Sequence, residues 1–271
     1  MVIIYTIPAK CSFEIIRGNT CFITQEPPYP GFIPLKKVFR YFDNVVTQFP
    51  VRGKHIHHND PLIPWWVGKS YDYLSGNTVA PKSRNLSWIT SSKNVLPGHK
   101  SRLDFKKELD KSGIPYDLYG KGHNFIETKW EGLAPYRYSL AIENGSFRYY
   151  WTEKLADCFL SETMPIYYGC PNITDYFPEE SIIRIDINHP AEAFEIIKSA
   201  ISNNLWEKQR DAILHSKQLI LNKYQFFPFM TEFIGKTMEQ GPRVLYEYPV
   251  YGWPKENIVE KSWRKLKNKF K

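Results

Sequence analysis

Residues 136–169 constrain the fold of this chain more than any other stretch of its sequence. Apolar and polar residues alternate over residues 136–142, which predicts a β-strand. A polar loop follows, and Thr152 is positioned to cap a helix. The apolar run 164–168, closed by Gly169, predicts a second, buried parallel strand. This strand–helix–strand order predicts an α/β unit.

Five polar side chains lie on the connection between the first of these strands and the helix. They are Glu143, Asn144, Tyr150, Glu153 and Lys154. In an open α/β sheet, the carboxyl end of a strand and the start of the next helix form the edge at which ligands bind. The amides at a helix start also attract phosphate. The sequence therefore predicts a ligand site at this edge.

Strands and helices alternate clearly from residue 86 onward. The predicted strands are 86–90, 116–119 and 182–187, and the predicted helices are 99–110, one opened by Pro190, and 205–224. Such alternation predicts a mostly parallel, doubly wound sheet.

The first 75 residues hold short apolar runs among many prolines and predict a smaller α/β domain. The predicted elements are a strand at 21–24, a short helix at 35–42 and a strand at 44–48. A loop with His55, His57 and His58 follows, and no second set of ligands has the spacing of a metal site.

Residues 69–85 are polar and turn-rich, which is typical of a domain linker. We therefore expect an N-terminal domain at 1–75, a second domain at 76–240 and a basic tail at 241–271. Two α/β domains in tandem predict a cleft between them.

The chain carries a formal net charge of +8, which favours an anionic partner: a nucleotide, a nucleic acid or a membrane surface. The basic residues are dispersed and no recognition motif accompanies them, which argues against nucleic acid. Basic residues are most concentrated at 255–271, where seven basic and two acidic residues lie among apolar ones. That pattern suits peripheral membrane contact or a solvated terminal helix.

The four cysteines, Cys11, Cys21, Cys158 and Cys170, form no CxxC pair, which favours reduced structural thiols. No run of about 18 apolar residues predicts a membrane span, and the first residues lack the pattern of a signal peptide. We therefore expect a cytoplasmic location, with the option of a peripheral place at a membrane surface.

Cations lie at the starts of two predicted helices. Lys100 and Arg102 begin the helix after the strand at 86–90, and Lys154 follows Glu153 in the helix capped by Thr152. The helix dipole disfavours a cation at this end by roughly 0.3–1 kcal/mol. A bound diphosphate would make the position of these cations favourable, because the cations would then lie beside its negative charges. The alternative is that these cations are solvated surface residues.

Glu26 lies just after the end of the strand at 21–24 and precedes two prolines, which cannot continue a strand. A carboxylate there can deprotonate an acceptor hydroxyl if it faces the cleft. The alternative is a surface glutamate at a turn.

Three motifs within residues 143–169 resemble the donor-binding signature of glycosyltransferase family 10, the α-1,3/1,4-fucosyltransferases. They read E-N-G-S at 143–146, Y-W-T-E-K-L at 150–155 and M-P-I-Y-Y-G at 164–169. The resemblance implies a GT-B fold with two Rossmann-like domains facing a cleft, the N-terminal one reduced. It also implies inverting transfer of fucose from GDP-fucose to a hydroxyl of a glycan. The resemblance further implies that no metal cofactor is required and that divalent ions can stimulate the reaction.

The resemblance also implies roles for residues at matching positions. Arg102 and Lys154 would neutralise the diphosphate, and Glu153 would hold ribose or fucose hydroxyls. Asn144 and Tyr150 would line the donor pocket. The expected donor-binding set is completed by Lys100 and Glu143, and the expected general base is Glu26.

Two other functions remain open from the residues alone. The same diphosphate contacts suit a transferase that uses another nucleotide sugar. A short first domain also suits a glycan- or nucleotide-binding protein without turnover.

Overall fold

The computed structural model describes residues 1–4, 11–62, 65–76 and 81–248. The chain divides into two compact units, of which the first combines residues 1–62 with residues from 230 onward and the second spans 63–229. This division differs from the boundaries expected at 75/76 and 240/241, because the chain returns to the first unit after completing the second. The tail at 255–271 lies outside the described residues.

The strands and helices are numbered here in chain order. The strands are β1 (Val2–Ile4), β2 (Cys11–Ile16), β3 (Thr20–Ile23), β4 (Asn44–Thr47), β5 (Ile56–His58), β6 (Arg84–Ile89), β7 (Asp117–Tyr119), β8 (Tyr136–Ile142), β9 (Met164–Tyr168), β10 (Ile183–Arg184) and β11 (Arg243–Tyr248). The helices are α1 (Lys36–Phe39), α2 (Tyr71–Ser75), α3 (Pro97–Lys111), α4 (Lys129–Leu133), α5 (Glu153–Leu160), α6 (Pro190–Ser202), α7 (Leu205–Lys208), α8 (Arg210–Asn222) and α9 (Phe226–Thr237).

The first unit is built on a parallel sheet in the order β1-β3-β4-β5. Its β3 and β4 are buried throughout, as strands covered on both faces must be. The aromatic rings of Phe22, Phe39 and Phe49 pack together in its core. A separate antiparallel ribbon pairs β2 with β11, with Tyr246 opposite Phe13. Residues more than 200 positions apart in the chain thus share one ribbon.

The second unit has a parallel sheet in the order β10-β9-β8-β6-β7. From β6, the chain moves outward to β7 and then returns across β6 to add β8, β9 and β10. This is the doubly wound order with a switch point between its first and third strands, here β6 and β8. Ser87 pairs with Ser139 across that boundary. Connections leave the sheet in opposite directions at this point, which opens a crevice at the carboxyl ends of the strands.

Several predicted elements are confirmed, including β6, α3, β8, α5, β9 and the start of α6 at Pro190. Two predictions are wrong. His57 and His58 lie in β5, which pairs with β4, and not in a loop. Residues 205–224 form two helices that break at Gln209. The first of these, α7, is held in place because Trp206 donates its main-chain N–H to Tyr138 Oη at 3.0 Å.

Cys21, Cys158 and Cys170 are buried free thiols, as the sequence predicts, whereas the side chain of Cys11 lies outside the description. Burial raises the pKa of Cys158 to about 12, so that this thiol stays protonated. Within the described part of the chain, every helix is too short or too polar to span a bilayer.

Gly169 follows β9 where two other side chains approach the backbone closely. A Cβ atom there would lie 2.3 Å from Tyr167 Oη and 2.6 Å from Glu143 Cγ. Tyr167 Oη itself accepts a hydrogen bond from the Cys170 N–H at 2.8 Å. Only glycine therefore fits between the end of β9 and the side chain of Glu143.

We expect Gly169→Ala to lower the free energy of unfolding by about 1–3 kcal/mol, because the added methyl group overpacks a buried site. Urea unfolding followed by circular dichroism measures the change. Gly235→Ala is the matched control, since its Cβ would meet no atom within 4 Å and it lies inside α9. That control should be neutral or stabilising by about 0.5–1 kcal/mol. Equal effects of the two substitutions would contradict the packing argument.

Candidate functional site

A pocket of about 600 Å³ opens at the carboxyl ends of β6 and β7, on the side of the sheet where α5 begins. It is lined by Trp66, Gly68, Ile89, Thr90, Ser91, Arg102, Gly120, Lys121, Ile126, Glu127, Thr128, Lys129, Glu153 and Lys154. Four of these side chains are cationic and two are carboxylates, an excess of two positive charges. The volume is that of a typical small-molecule site, and the charge suits an anionic ligand.

The buried carboxylate of Glu143 ties the end of β8 to the start of α5. The Thr152 N–H donates to Glu143 Oε1 at 2.7 Å, and the Thr152 hydroxyl lies 2.8–2.9 Å from both carboxylate oxygens. Thr152 is also the N-cap of α5, since its hydroxyl accepts from the Lys154 N–H at 3.4 Å. One threonine therefore fixes the loop, the helix start and the orientation of Glu143.

Lys154 and Glu153 are the first charged residues of α5, and each holds the other ionised. Lys154 Nζ lies 3.4 Å from Glu143 Oε2 and 3.3 Å from Glu153 Oε1. Burial opposes the charge of Lys154, but Glu143 and Glu153 more than offset it and raise its pKa. Burial alone would raise the pKa of Glu153, yet Lys154 and Lys129 bring it down to about 2. The pocket therefore presents a fixed cation beside a fixed carboxylate.

Arg102 connects the two sides of the switch point. Its side chain is buried on α3, which follows β6, and Nη1 donates to Asn144 Oδ1 at 2.7 Å. Asn144 belongs to the connection after β8. The guanidinium lines the same pocket as Lys154. Strand order thus brings together two cations that are 52 residues apart in the chain.

The sequence analysis missed Lys129, which lines the pocket, and Asp157, which holds Lys129 in place. Lys129 Nζ lies 2.8 Å from Asp157 Oδ2 and 3.7 Å from Glu153 Oε1. Asp157 Oδ1 accepts the main-chain N–H of Trp66 at 2.9 Å. Burial raises the pKa of Asp157 to about 6, although Lys129 and these hydrogen bonds oppose the rise. Asp157 therefore anchors a lysine and a tryptophan at the pocket wall.

A sequence signal for the position of Lys129 existed. Thr128 and Glu131 form a capping box, in which Glu131 Oε1 accepts from the Thr128 N–H at 3.1 Å. This Thr-x-x-Glu spacing marks a helix start and puts Lys129 in its first turn. No local pattern indicates which pocket that turn faces.

Residues 79–204 match the family described as glycosyltransferase family 10 (fucosyltransferase) C-term. This region is similar to the C-terminal region of the family 10 fucosyltransferases. The matched region contains β6 to β10 and the helices α3 and α5, which carry Arg102, Glu153 and Lys154. Because α3 begins at Pro97, Arg102 lies in its second turn and not at the helix start that the sequence predicts. The matched region therefore includes most of the pocket, although Trp66 and Gly68 lie before it.

Curated relatives align with about half of this chain. The human 4-galactosyl-N-acetylglucosaminide 3-alpha-L-fucosyltransferase 9 is 30% identical over 149 residues, which cover 49% of this chain and 40% of the relative. An Alpha-(1,4)-fucosyltransferase of Arabidopsis thaliana is 29% identical over 152 residues, covering 47% and 37%. The matched region thus spans about 40% of the length of the first relative.

Solved structures share the fold of this chain. An alpha1,3-fucosyltransferase crystal structure has a TM-score of 0.51 at 19% identity and covers 71% of this chain and 64% of its own. A crystal structure of an alpha1,3-fucosyltransferase with GDP has a TM-score of 0.50 at 18% sequence identity and covers 76% of each chain. The crystal structure of TarM has a TM-score of 0.52 at 9% sequence identity and covers 81% of this chain and 50% of its own. The α/β architecture with parallel sheets is of the GT-B type.

The expected donor-binding residues differ in whether they line the pocket. Arg102, Glu153 and Lys154 line the pocket. Glu143 and Asn144 support them through the contacts with Thr152 and Arg102 described above. Tyr150 is buried and Lys100 is exposed, and neither is among the described residues that line the pocket. Their roles stay predictions.

Glu26 belongs to the first unit, where it is half-buried three residues after β3. Its role as a base stays a prediction. Across the described residues, His, Cys, Asp and Glu form no group of three or more that could hold a metal ion. His57 lies in β5, where its side chain hydrogen-bonds to Asn44, with Nε2 lying 3.0 Å from Asn44 Oδ1.

Asp157 makes the stability of the second unit depend on pH. Its pKa is about 6 in the folded protein, against an ordinary value of 3.8. The folded state therefore binds this proton more tightly than the unfolded chain does. The associated stability is fully present below pH 4 and is lost as the pH rises through 6, by up to about 3 kcal/mol.

We expect Asp157→Asn to flatten this dependence, because the amide keeps an acceptor for the Trp66 N–H and carries no charge. The free energy of unfolding is measured with urea at pH 4.5 and 7.5. Between these two values, the difference between the variant and the parent protein should shift by roughly 1–3 kcal/mol in favour of the variant at the higher pH. Asp104→Asn, at an exposed carboxylate that pairs with Lys107, should leave the profile unchanged. Parallel profiles for Asp157→Asn and the parent would show that the Asp157 pKa is not raised.

Proposed function

We propose that this protein transfers fucose from GDP-fucose to a hydroxyl of a glycan acceptor, as an inverting, α-1,3-fucosyltransferase-like enzyme. The observation that carries the proposal is the convergence of Arg102, Lys129 and Lys154 on one pocket within the second unit. The pocket lies at the switch point of a doubly wound sheet, which is where such sheets bind nucleotides.

The leaving group of the proposed reaction is GDP, whose diphosphate gains negative charge as the glycosidic bond breaks. Preorganised cations stabilise such charge where it develops. Arg102 can offer two parallel N–H donors to phosphate oxygens, and Lys154 offers a point charge that Thr152 and Glu143 hold in place. These residues can balance a diphosphate without a metal cofactor. Stimulation by divalent ions remains an expectation from the family.

Glu153 fits a role beside the diphosphate and not on it. Its carboxylate stays ionised because its pKa is about 2, so it repels phosphate and accepts hydrogen bonds from hydroxyl groups. A sugar hydroxyl of the donor supplies such a group. An oxocarbenium-like transition state also gains from a nearby negative charge.

The names of the relatives support fucose as the transferred sugar. The human and Arabidopsis relatives are named as fucosyltransferases, and an alpha1,3-fucosyltransferase of the same fold was crystallised with GDP. A transferase for another nucleotide sugar is the alternative within this fold. A binding protein without turnover is the alternative outside enzymes.

Glu26 is the proposed general base on the acceptor side. A single displacement with inversion needs one base that takes the proton from the attacking hydroxyl while the sugar–phosphate bond breaks on the opposite face. Glu26 is supported by its position at a strand end and by the resemblance of its Gln-Glu-Pro-Pro turn to the family. The proton ends on the Glu26 carboxylate and the bonding electrons leave with GDP.

The cytoplasmic location stays a prediction. The option of peripheral membrane contact also stays a prediction, and it rests on the charge pattern of residues 255–271.

Thermal unfolding with GDP, UDP, CMP and their sugars tests the donor assignment. A ligand present at 100 times its Kd stabilises the folded state by about 2.7 kcal/mol. We expect GDP and GDP-fucose to raise the Tm and the other nucleotides to leave it unchanged. A rise with UDP or CMP compounds but none with GDP would move the protein to another donor.

Two variants connect that result to the pocket. Arg102→Ala and Lys154→Ala should each weaken GDP binding in calorimetry by roughly tenfold or more, since each removes a charge-assisted hydrogen bond. Lys107→Ala removes the same charge from an exposed position on α3 and should change the affinity little. Lys100→Ala should have a smaller effect than Arg102→Ala because Lys100 is exposed. Unchanged affinity in the pocket variants would reject their phosphate roles.

Glu26→Gln tests the base. We expect the variant to bind GDP with the affinity of the parent but to transfer sugar at least roughly a hundredfold more slowly, because the amide cannot accept the proton. Single-turnover transfer to a glycan acceptor measures the rate. Glu14→Gln, at an exposed glutamate of the same unit, is the matched control and should keep full activity. Full activity in Glu26→Gln would place the base elsewhere.

A further inference from the structure

Trp66 is an exposed tryptophan in the wall of the pocket. Its side chain is 65% exposed, although it is a large apolar residue. Tryptophan presents a broad apolar face that usually becomes covered in a core or by a ligand. Because Trp66 lines the pocket, a molecule bound there would cover it.

The main chain at Trp66 is held firmly. Its N–H donates to the buried carboxylate of Asp157 at 2.9 Å, and the other oxygen of that carboxylate receives Lys129 Nζ at 2.8 Å. This arrangement keeps the residue beside the pocket before any ligand arrives. A residue whose main chain is already fixed loses less conformational freedom on binding than a residue of a free loop.

The anchor also determines which part of the pocket Trp66 adjoins. Asp157 follows Glu153 by one turn of α5, and residues four apart lie on the same helix face. Lys129 Nζ lies within 3.7 Å of both carboxylates. Trp66 therefore lies on the Glu153 side of the pocket, where a carboxylate accepts hydroxyl groups and repels phosphate.

An aromatic face beside a carboxylate matches the two surfaces of a hexose. The hydroxyl groups donate to the carboxylate, and the C–H groups of the ring pack on the indole. Fucose is a 6-deoxyhexose, in which C6 is a methyl group in place of a hydroxymethyl group, and this enlarges its apolar surface. Ribose has a smaller apolar face and suits this pairing less well.

We propose that Trp66 packs against the transferred sugar of the donor and is a specificity-determining residue for that sugar. The assignment rests on the proposed function, and it concerns the sugar alone. It separates the pocket into a diphosphate part at Arg102 and Lys154 and a sugar part at Trp66 and Glu153.

The test compares the affinities for GDP and GDP-fucose in calorimetry. In Trp66→Ala we expect the affinity for GDP-fucose to fall by about tenfold, as the loss of one aromatic contact predicts, and that for GDP to change by less than about twofold. Trp66→Phe keeps a ring and should retain most of the GDP-fucose affinity. Phe125→Ala is the matched control, since Phe125 is 88% exposed but is not among the described residues that line the pocket.

Each outcome decides between the sugar role and its rivals. An equal loss for GDP and GDP-fucose in both Trp66 variants, with an unchanged Tm, would place the ring on the nucleoside and overturn the proposal. An unchanged affinity for both ligands would also overturn it. If the parent protein binds neither ligand, the proposed function itself fails and this assignment fails with it.

Discussion

The hydrogen bonds between Glu143 and Thr152 are the contact on which the rest of the pocket depends. A buried carboxylate is costly unless its oxygens are satisfied, and here the Thr152 N–H and hydroxyl satisfy both. The same contact starts α5 and orients Lys154. Gly169 lacks a side chain because Glu143 and Tyr167 occupy that space. The arrangement of this loop thus follows from the need to bury one charge.

The charges of the pocket are compensated before a ligand binds. A lysine at a helix start is unfavourable by itself, but Glu143 and Glu153 raise the pKa of Lys154 above its ordinary value. The position of Lys154 therefore does not require a bound anion. The stronger indication is that Arg102 and Lys129, from two other helices, line the same cavity. Together with Lys121, the side chains that line the pocket comprise four cations and two carboxylates, an excess of two positive charges for a diphosphate.

In the first unit, local sequence patterns predicted individual strands correctly but did not predict how all of the strands pair. Strands β3 and β4 follow from their apolar runs, and both were predicted. The ribbon of β2 and β11 was not, because its two strands lie at opposite ends of the described chain and Phe13 meets Tyr246 only after folding. Similarly, the predicted helix at 205–224 is divided because Trp206 contacts Tyr138 and Glu162.

The sequence by itself determined the local elements of the second unit and the motif that carries its resemblance to family 10. Periodicity located β8, α5 and β9, and the capping preference of threonine located the start of α5. Only the tertiary structure decided that Lys129 and Trp66 complete the pocket and that Asp157 anchors both of them. Periodicity reports which face of an element is buried, whereas the meeting of side chains from separate elements depends on strand order and on long-range contacts that no local pattern contains.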